Sequence, residues 1–284
     1  MIRLDAATVL LQWATGGLLF LWVTTRRREV GVGYGWLLRA VYGVLALTGA
    51  ACGVLVDAVP VRDVASLGVA AAAATALAVS IVRRKAGVAG ERARRERKAT
   101  RVAAMAGTPA SAAVAETPPV REFPPALDLV APLIGLVGLV AAGAAAGGPD
   151  ALAVARTIAG ALFLGAVSDA MLLGHWYLVQ PGLGRGPLLE LNRWLALTWP
   201  LEVGLLLWPT GMLSVLTGSV DDGWGGTLGW FWVACAVTTL VLTAVTKAAL
   251  KERAYSAVMA ATGLLYLAIL TAFGTDLVAR AVLA

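Results

Sequence analysis

One histidine, His175, is all the imidazole this chain has among its 284 residues. Haem held between two histidines, haem–copper centres and histidine-rich di-iron sites each need more than that, so this chain alone builds none of them. Cysteine is nearly as scarce. Cys52 and Cys235 each sit inside an apolar block, where a thiol serves as a small hydrophobe. With no CxxC and no CxxCH, there is neither a thioredoxin-like redox motif nor a covalent c-type haem attachment. GxSxG, HExxH and Walker sequences are also missing, which sets aside a self-contained hydrolase or ATPase. A metal site is not expected, because the predicted topology puts both cysteines far from His175.

Charge is the other shortage. Only 14% of the residues are charged and 59% are hydrophobic, against about 25% charged in a soluble domain; water cannot solvate such a chain on every side. The apolar residues come in blocks of about 20, the length of a membrane helix. Backbone polar groups in lipid must be paired within the structure, which leaves helices or closed barrels. Barrel strands alternate apolar and polar residues, and these blocks do not. The fold class is therefore all-α: a polytopic integral membrane helical bundle.

About eight transmembrane helices are predicted, at roughly 6–25, 36–56, 64–82, 127–147, 151–178, 188–217, 226–246 and 255–274. The first run ends in Arg26-Arg27-Arg28, a stop-transfer pattern, so it is expected to be retained and not cleaved. With the N-terminus outside, 19 of the 23 basic residues fall on the cytoplasmic side, leaving Arg3, Arg62, Arg156 and Arg280 outside. Lys and Arg excess marks the cytoplasmic face, so both termini are predicted on the non-cytoplasmic side of the plasma membrane. Gly49/Gly53 and Gly143/Gly147 form GxxxG pairs, read as close helix packing within the chain.

The chain divides into a three-span part, 1–82, a loop, 83–126, and a five-span part, 127–284. The loop holds ten basic and four acidic residues. Its first half reads as a charged helix extending the third span and its Pro/Ala-rich second half as a disordered tether. Its charge suits anionic lipid headgroups. It has no interleaved aromatics, so nucleic acid is not an expected partner. No sequence repeat relates the two halves of the chain.

Polar chemistry at membrane depth concentrates between Ser168 and Pro209. The end of span five and the start of span six are joined by a glycine-rich turn. They are expected to form one cytoplasmic-side pocket, with His175, Trp176 and Tyr177 from one helix and Glu190, Asn192, Arg193 and Trp194 from the next. Glu190 and Arg193 are at a pairing distance along a helix. Pro187 suits a first helical turn, and free N–H groups near Arg185 suit an anionic headgroup. Asp169 and Glu202 lie deeper, about 13 and 20 Å from the cytoplasmic end at 1.5 Å per residue. A carboxylate there is costly and faces protein or water, so both are candidates for a proton path or a buried polar network. Trp199-Pro200 and Trp208-Pro209 are expected to interrupt span six near Glu202. Asp276 is expected near the outer surface, and Asp221-Asp222-Gly223 as an external turn with a weak calcium signal.

Three functions fit these features. The first is a membrane subunit or partner of a respiratory or other redox assembly, with a quinone-like amphiphile or lipid in the pocket. The second is a structural anchor with no ligand, and the third a transporter of a small or lipidic molecule.

Overall fold

The computed structural model describes residues 2–106, 122–147, 150–180, 182–209 and 211–284. Among these residues there are helices and turns but no strands. The helices are α1 (Ala6–Thr25), α2 (Val32–Val56), α3 (Pro60–Val82), α4 (Ala89–Ala106), α5 (Val130–Ala145), α6 (Asp150–Val179), α7 (Gly186–Leu207), α8 (Met212–Leu216), α9 (Thr227–Ala249) and α10 (Tyr255–Val282). Seven are long and apolar enough to cross a membrane. The sixth predicted span, α7, is not among them: it has 22 residues but carries Glu190, Arg193 and Glu202. The chain is a polytopic helical bundle.

Local chemistry sets the helix ends. The Asp5 carboxylate caps α1 by accepting from the N–H groups of Ala7 and Thr8 at 3.2 and 3.1 Å. Proline opens α3 and α7, where a missing N–H costs nothing. Three expectations need correcting. The sixth span ends at Leu207 and not at 217: the helix runs through Pro200 and stops ahead of Trp208-Pro209, and a separate short helix follows. The last span runs on to Val282, two turns beyond 274. The charged helix α4 does not extend α3, because Gly87 breaks the chain at φ +59°, a conformation that suits glycine. The proposed tether lies largely outside the described residues.

Two helices form the axis. In α1 and α6, 67% of the spanning residues are buried, against 33–44% in the other five, so these two are the central pair. Their backbones touch at Gly16 and Gly165: a Cβ on Gly16 would stand 1.8 Å from the Ala161 carbonyl oxygen. Neighbour relations then repeat on either side. α1 packs on α2 and α5, α2 on α3, and α3 on α5; α6 packs on α7 and α10, α7 on α9, and α9 on α10. The long loop divides the sequence after α3, but the packing groups helices four and four. Gly49 packs on Ala7 and Leu10 of α1, and Gly143 on Val154 of α6, so both GxxxG stretches serve contacts inside the chain.

Ile2 and Leu283 share one apolar cluster, which places the two ends of the described chain at the same end of the bundle. Every basic residue described there has a partner. Arg3 meets Asp57, Arg62 meets Asp5 and Asp63, Arg280 meets Asp276, and Arg156 donates to two backbone carbonyls.

Candidate functional site

The pocket expected from the α6–α7 turn does not form as one cavity. His175 is exposed, and its Nδ1 lies 3.1 Å from the Tyr266 hydroxyl of α10. Trp176 turns the other way, its ring tilted against Tyr34 of α2 and its N–H donating to Gln180 Oε1 at 2.9 Å. Tyr177 is buried, and its hydroxyl donates to the Gly184 carbonyl across the turn. Three successive helical residues point about 100° apart, so they cannot line one wall. On α7, Glu190 pairs with Arg26 and Arg27, which follow α1, and not with Arg193. Asn192 is buried and donates to the Thr243 carbonyl of α9 at 3.1 Å. Arg193 and Trp194 are exposed beside Arg27. The Arg185 side chain donates to the carbonyls of Leu250, Arg253 and Ala254 between α9 and α10, where a cation suits unpaired helix carbonyls.

Asp169 is fully buried on α6. Tyr42 of α2 donates to its Oδ1 at 2.5 Å, and Oδ2 has no partner among the described residues. The Tyr42 ring crosses α1 at Gly17, where a Cβ would stand 2.1 Å from the ring. Beside it, Trp13 donates its indole N–H to the Ser168 hydroxyl at 2.8 Å. Three helices therefore meet at one buried carboxyl.

The second deep carboxyl, Glu202, belongs to a larger group. It is fully buried on α7, and its charged neighbours are Asp276 and Arg280 of α10 and Arg156 of α6. Asp276 and Arg280 lie one turn apart on α10, with Arg280 Nε 2.8 Å from Asp276 Oδ2. Arg156 donates to the carbonyls of Leu205 and Trp208 at 2.8 and 3.1 Å, satisfying the end of α7. Gln12 of α1 donates to the Thr157 carbonyl at 2.7 Å. Gly160 is where these groups converge. A Cβ there would lie 2.6 Å from Gln12 Nε2, 2.7 Å from Asp276 Oδ1 and 3.3 Å from Arg280.

This group concentrates five of the twelve buried side-chain atoms that have no hydrogen-bond partner among the described residues. Among the described residues, no donor reaches either Glu202 oxygen or Asp276 Oδ1, and one Arg280 nitrogen and Gln12 Oε1 are also unmatched. Buried polar atoms in native proteins are otherwise almost all paired. Two facing carboxyls can satisfy each other only by holding a proton between them. A narrow crevice of about 20 Å³, lined by Arg3, Asp5, Thr8, Asp57, Arg62, Thr157 and Arg280 among others, reaches Arg280, the ion-pair partner of Asp276. That is room for one water. It joins the exposed Arg3–Asp57 pair at the end carrying the termini to the guanidinium of Arg280.

Compared with known proteins, the chain matches no family model, no curated sequence and no solved structure.

Of this group, the sequence reading singled out only Glu202. Asp276, Arg62, Arg156 and Arg280 are all buried between helices. The readable signal was the spacing of Asp276 and Arg280, an i,i+4 acid–base pair in an apolar helix. It was hidden by ending the last span at 274. A second buried pair was also missed: Arg39 of α2 grips Asp128, just before α5, through two hydrogen bonds of 2.7 and 2.8 Å, under the ring of Phe123. The Asp222 signal has a structural answer. Its carboxylate accepts from the N–H groups of Trp224, Gly226, Leu228 and Gly229. The described residues contain no group of three or more metal-ligating side chains.

Proposed function

We propose that this chain is a proton-handling membrane protein of a redox assembly in the plasma membrane. Glu202 and Asp276 would be the groups that take up and release the proton. One observation carries this reading: the two facing carboxyls with unpaired oxygens, with Arg280 paired to Asp276, Arg156 close by, and a water-sized crevice running from one end of the bundle to Arg280. A buried acid at membrane depth is costly and is retained where it pairs, or where it moves protons or ions. By the Lys/Arg distribution the crevice opens on the non-cytoplasmic side, and the basic segment from Arg83 lies against anionic cytoplasmic headgroups. A quinone-like carrier fits as the redox partner, and the exposed His175–Tyr266 pair on the α6–α10 face offers its headgroup a hydrogen bond.

Infrared difference spectra of the protein in membranes, titrated with pH, test the proton step. A carboxyl C=O band that shifts in D2O and vanishes in Glu202→Gln or Asp276→Asn is expected. A titration in which neither variant removes a band rules the proposal out and leaves the anchor reading. Gentle solubilisation that brings no partner proteins and no quinone would remove the redox assembly from the proposal.

A transporter has an observation of its own. The helices group as two quartets with the same neighbour order, meeting along α1 and α6, and the Glu202 group touches that seam through Gln12 and Gly160. Transporters built from repeats hold their sites at such seams. Substrate-driven proton movement in proteoliposomes of the isolated chain is the distinguishing result.

A further inference from the structure

We propose that the groove between the end of α1 and the start of α7 binds the headgroup of one anionic phospholipid. This site is independent of the proton reading and lies at the opposite end of the bundle from the crevice.

Arg27 and Arg193 line the groove with the single carboxylate of Glu190, and a third guanidinium, that of Arg26, pairs with the same carboxylate from beside it. Glu190 is engaged by Arg26 and Arg27, which follow α1, Arg27 through Nε at 3.1 Å. The carboxylate thus fixes Arg27 at the mouth of the groove, and three arginines against one carboxylate leave an excess of two positive charges. Arg27 stays half exposed. Arg193 is exposed and makes no ion pair among the described residues. It lies seven residues into α7, but helical side chains lean toward the N-terminus and an arginine stem reaches for the interface, so its charge sits near the helix start.

The groove measures about 290 Å³, room for about ten waters at 30 Å³ each, or for a phosphate and the glycerol beside it. Its wall changes character with depth. Arginines line the mouth, then Trp194 stands with its ring edge-on to Phe20 of α1, and Leu197 lies 57% exposed further along α7. A soluble anion has no use for that apolar continuation. A phospholipid does, since its phosphate meets the guanidiniums while an acyl chain follows Trp194 and Leu197. Arginine also suits phosphate oxygens by its planar, paired donors.

Native mass spectrometry of the detergent-solubilised protein, with phosphatidylglycerol and phosphatidylcholine of matched chains, tests the site. The intact protein is expected to keep one phosphatidylglycerol under activation that strips phosphatidylcholine. The double variant Arg27→Gln/Arg193→Gln is expected to lose that preference at least tenfold, while Arg97→Gln/Arg101→Gln on exposed α4 keeps it. Equal loss in the α4 variant, or retention in the groove variant, overturns the proposal in favour of general charge attraction. Displacement by millimolar inorganic phosphate overturns it in favour of a free-anion site. Phosphatidylglycerol with brominated chains gives a reading that needs no arginine variant: quenching specific to this lipid is expected to drop in Trp194→Phe, and unchanged quenching counts against the groove.

Discussion

Tyr42 reaches Asp169 across the face of a glycine. The tyrosine stands on α2 and the aspartate on α6, and α1 lies between them; Gly17 on α1 leaves the space through which the phenol passes to donate at 2.5 Å. A peripheral helix is thereby tied to a central one through the other central helix. Removing the hydroxyl by Tyr42→Phe leaves both carboxyl oxygens without a donor, at a cost of about 1–3 kcal/mol. Gly17→Ala pushes the whole ring aside and is expected to lower the apparent melting temperature further than Tyr42→Phe. The reverse order would mean that the ring's path over Gly17 is not what seats it.

The Arg39–Asp128 pair joins α2 to the segment entering α5, with both side chains almost fully buried. Breaking a buried pair from one side leaves an uncompensated charge, worth about 3–5 kcal/mol. Asp128→Ala and Arg39→Ala should each destabilise by that order in thermal melts. An apolar double replacement, Arg39→Met with Asp128→Leu, should recover most of the loss. A double variant as unstable as the singles would show that the pair contributes more than its own neutralisation.

Gly160→Ala tests the Glu202 group without removing any of its charges. The added methyl falls within 2.7 Å of Gln12 and Asp276, and such overpacking costs about 1–3 kcal/mol. The infrared band assigned to the Glu202–Asp276 pair is expected to shift in frequency but remain, whereas Glu202→Gln removes it. An unshifted band would place the carboxyls away from Gly160.

Asp222 gives a pH prediction outside the membrane. Backbone N–H groups, led by that of Gly226, hold its carboxyl below the usual range. Because the folded value is depressed, its stabilisation is complete above the ordinary aspartate value of about 3.9 and is lost as pH falls through the lower folded value. Between neutrality and pH about 5 the loop ahead of α9 should therefore not respond to pH, and it should loosen only in stronger acid. Amide exchange at Trp224–Gly229 in Asp222→Ala at neutral pH should match the acid-loosened wild type. Normal protection in that variant would refute the capping role.

The sequence by itself determined that the chain is helical and where most of its long apolar helices lie. Those properties depend on run length, on Asp5 or Pro60 at a helix start and on Pro209 beyond a helix end, all within a few residues of where they act. It also located Asp169 and Glu202 as deep carboxyls, because depth is residue count times a fixed rise. Only the tertiary structure decided what those carboxyls face. Tyr42 is 127 positions from Asp169, and Asp276 is 74 from Glu202; no local pattern links them. The same holds for the turn after α6, where residues adjacent in the chain, His175 to Tyr177, part at 100° and join three different neighbours. Helix formation is a short-range matter of backbone hydrogen bonds and caps, whereas the pairing of side chains between helices depends on which helices lie side by side and how each is rotated.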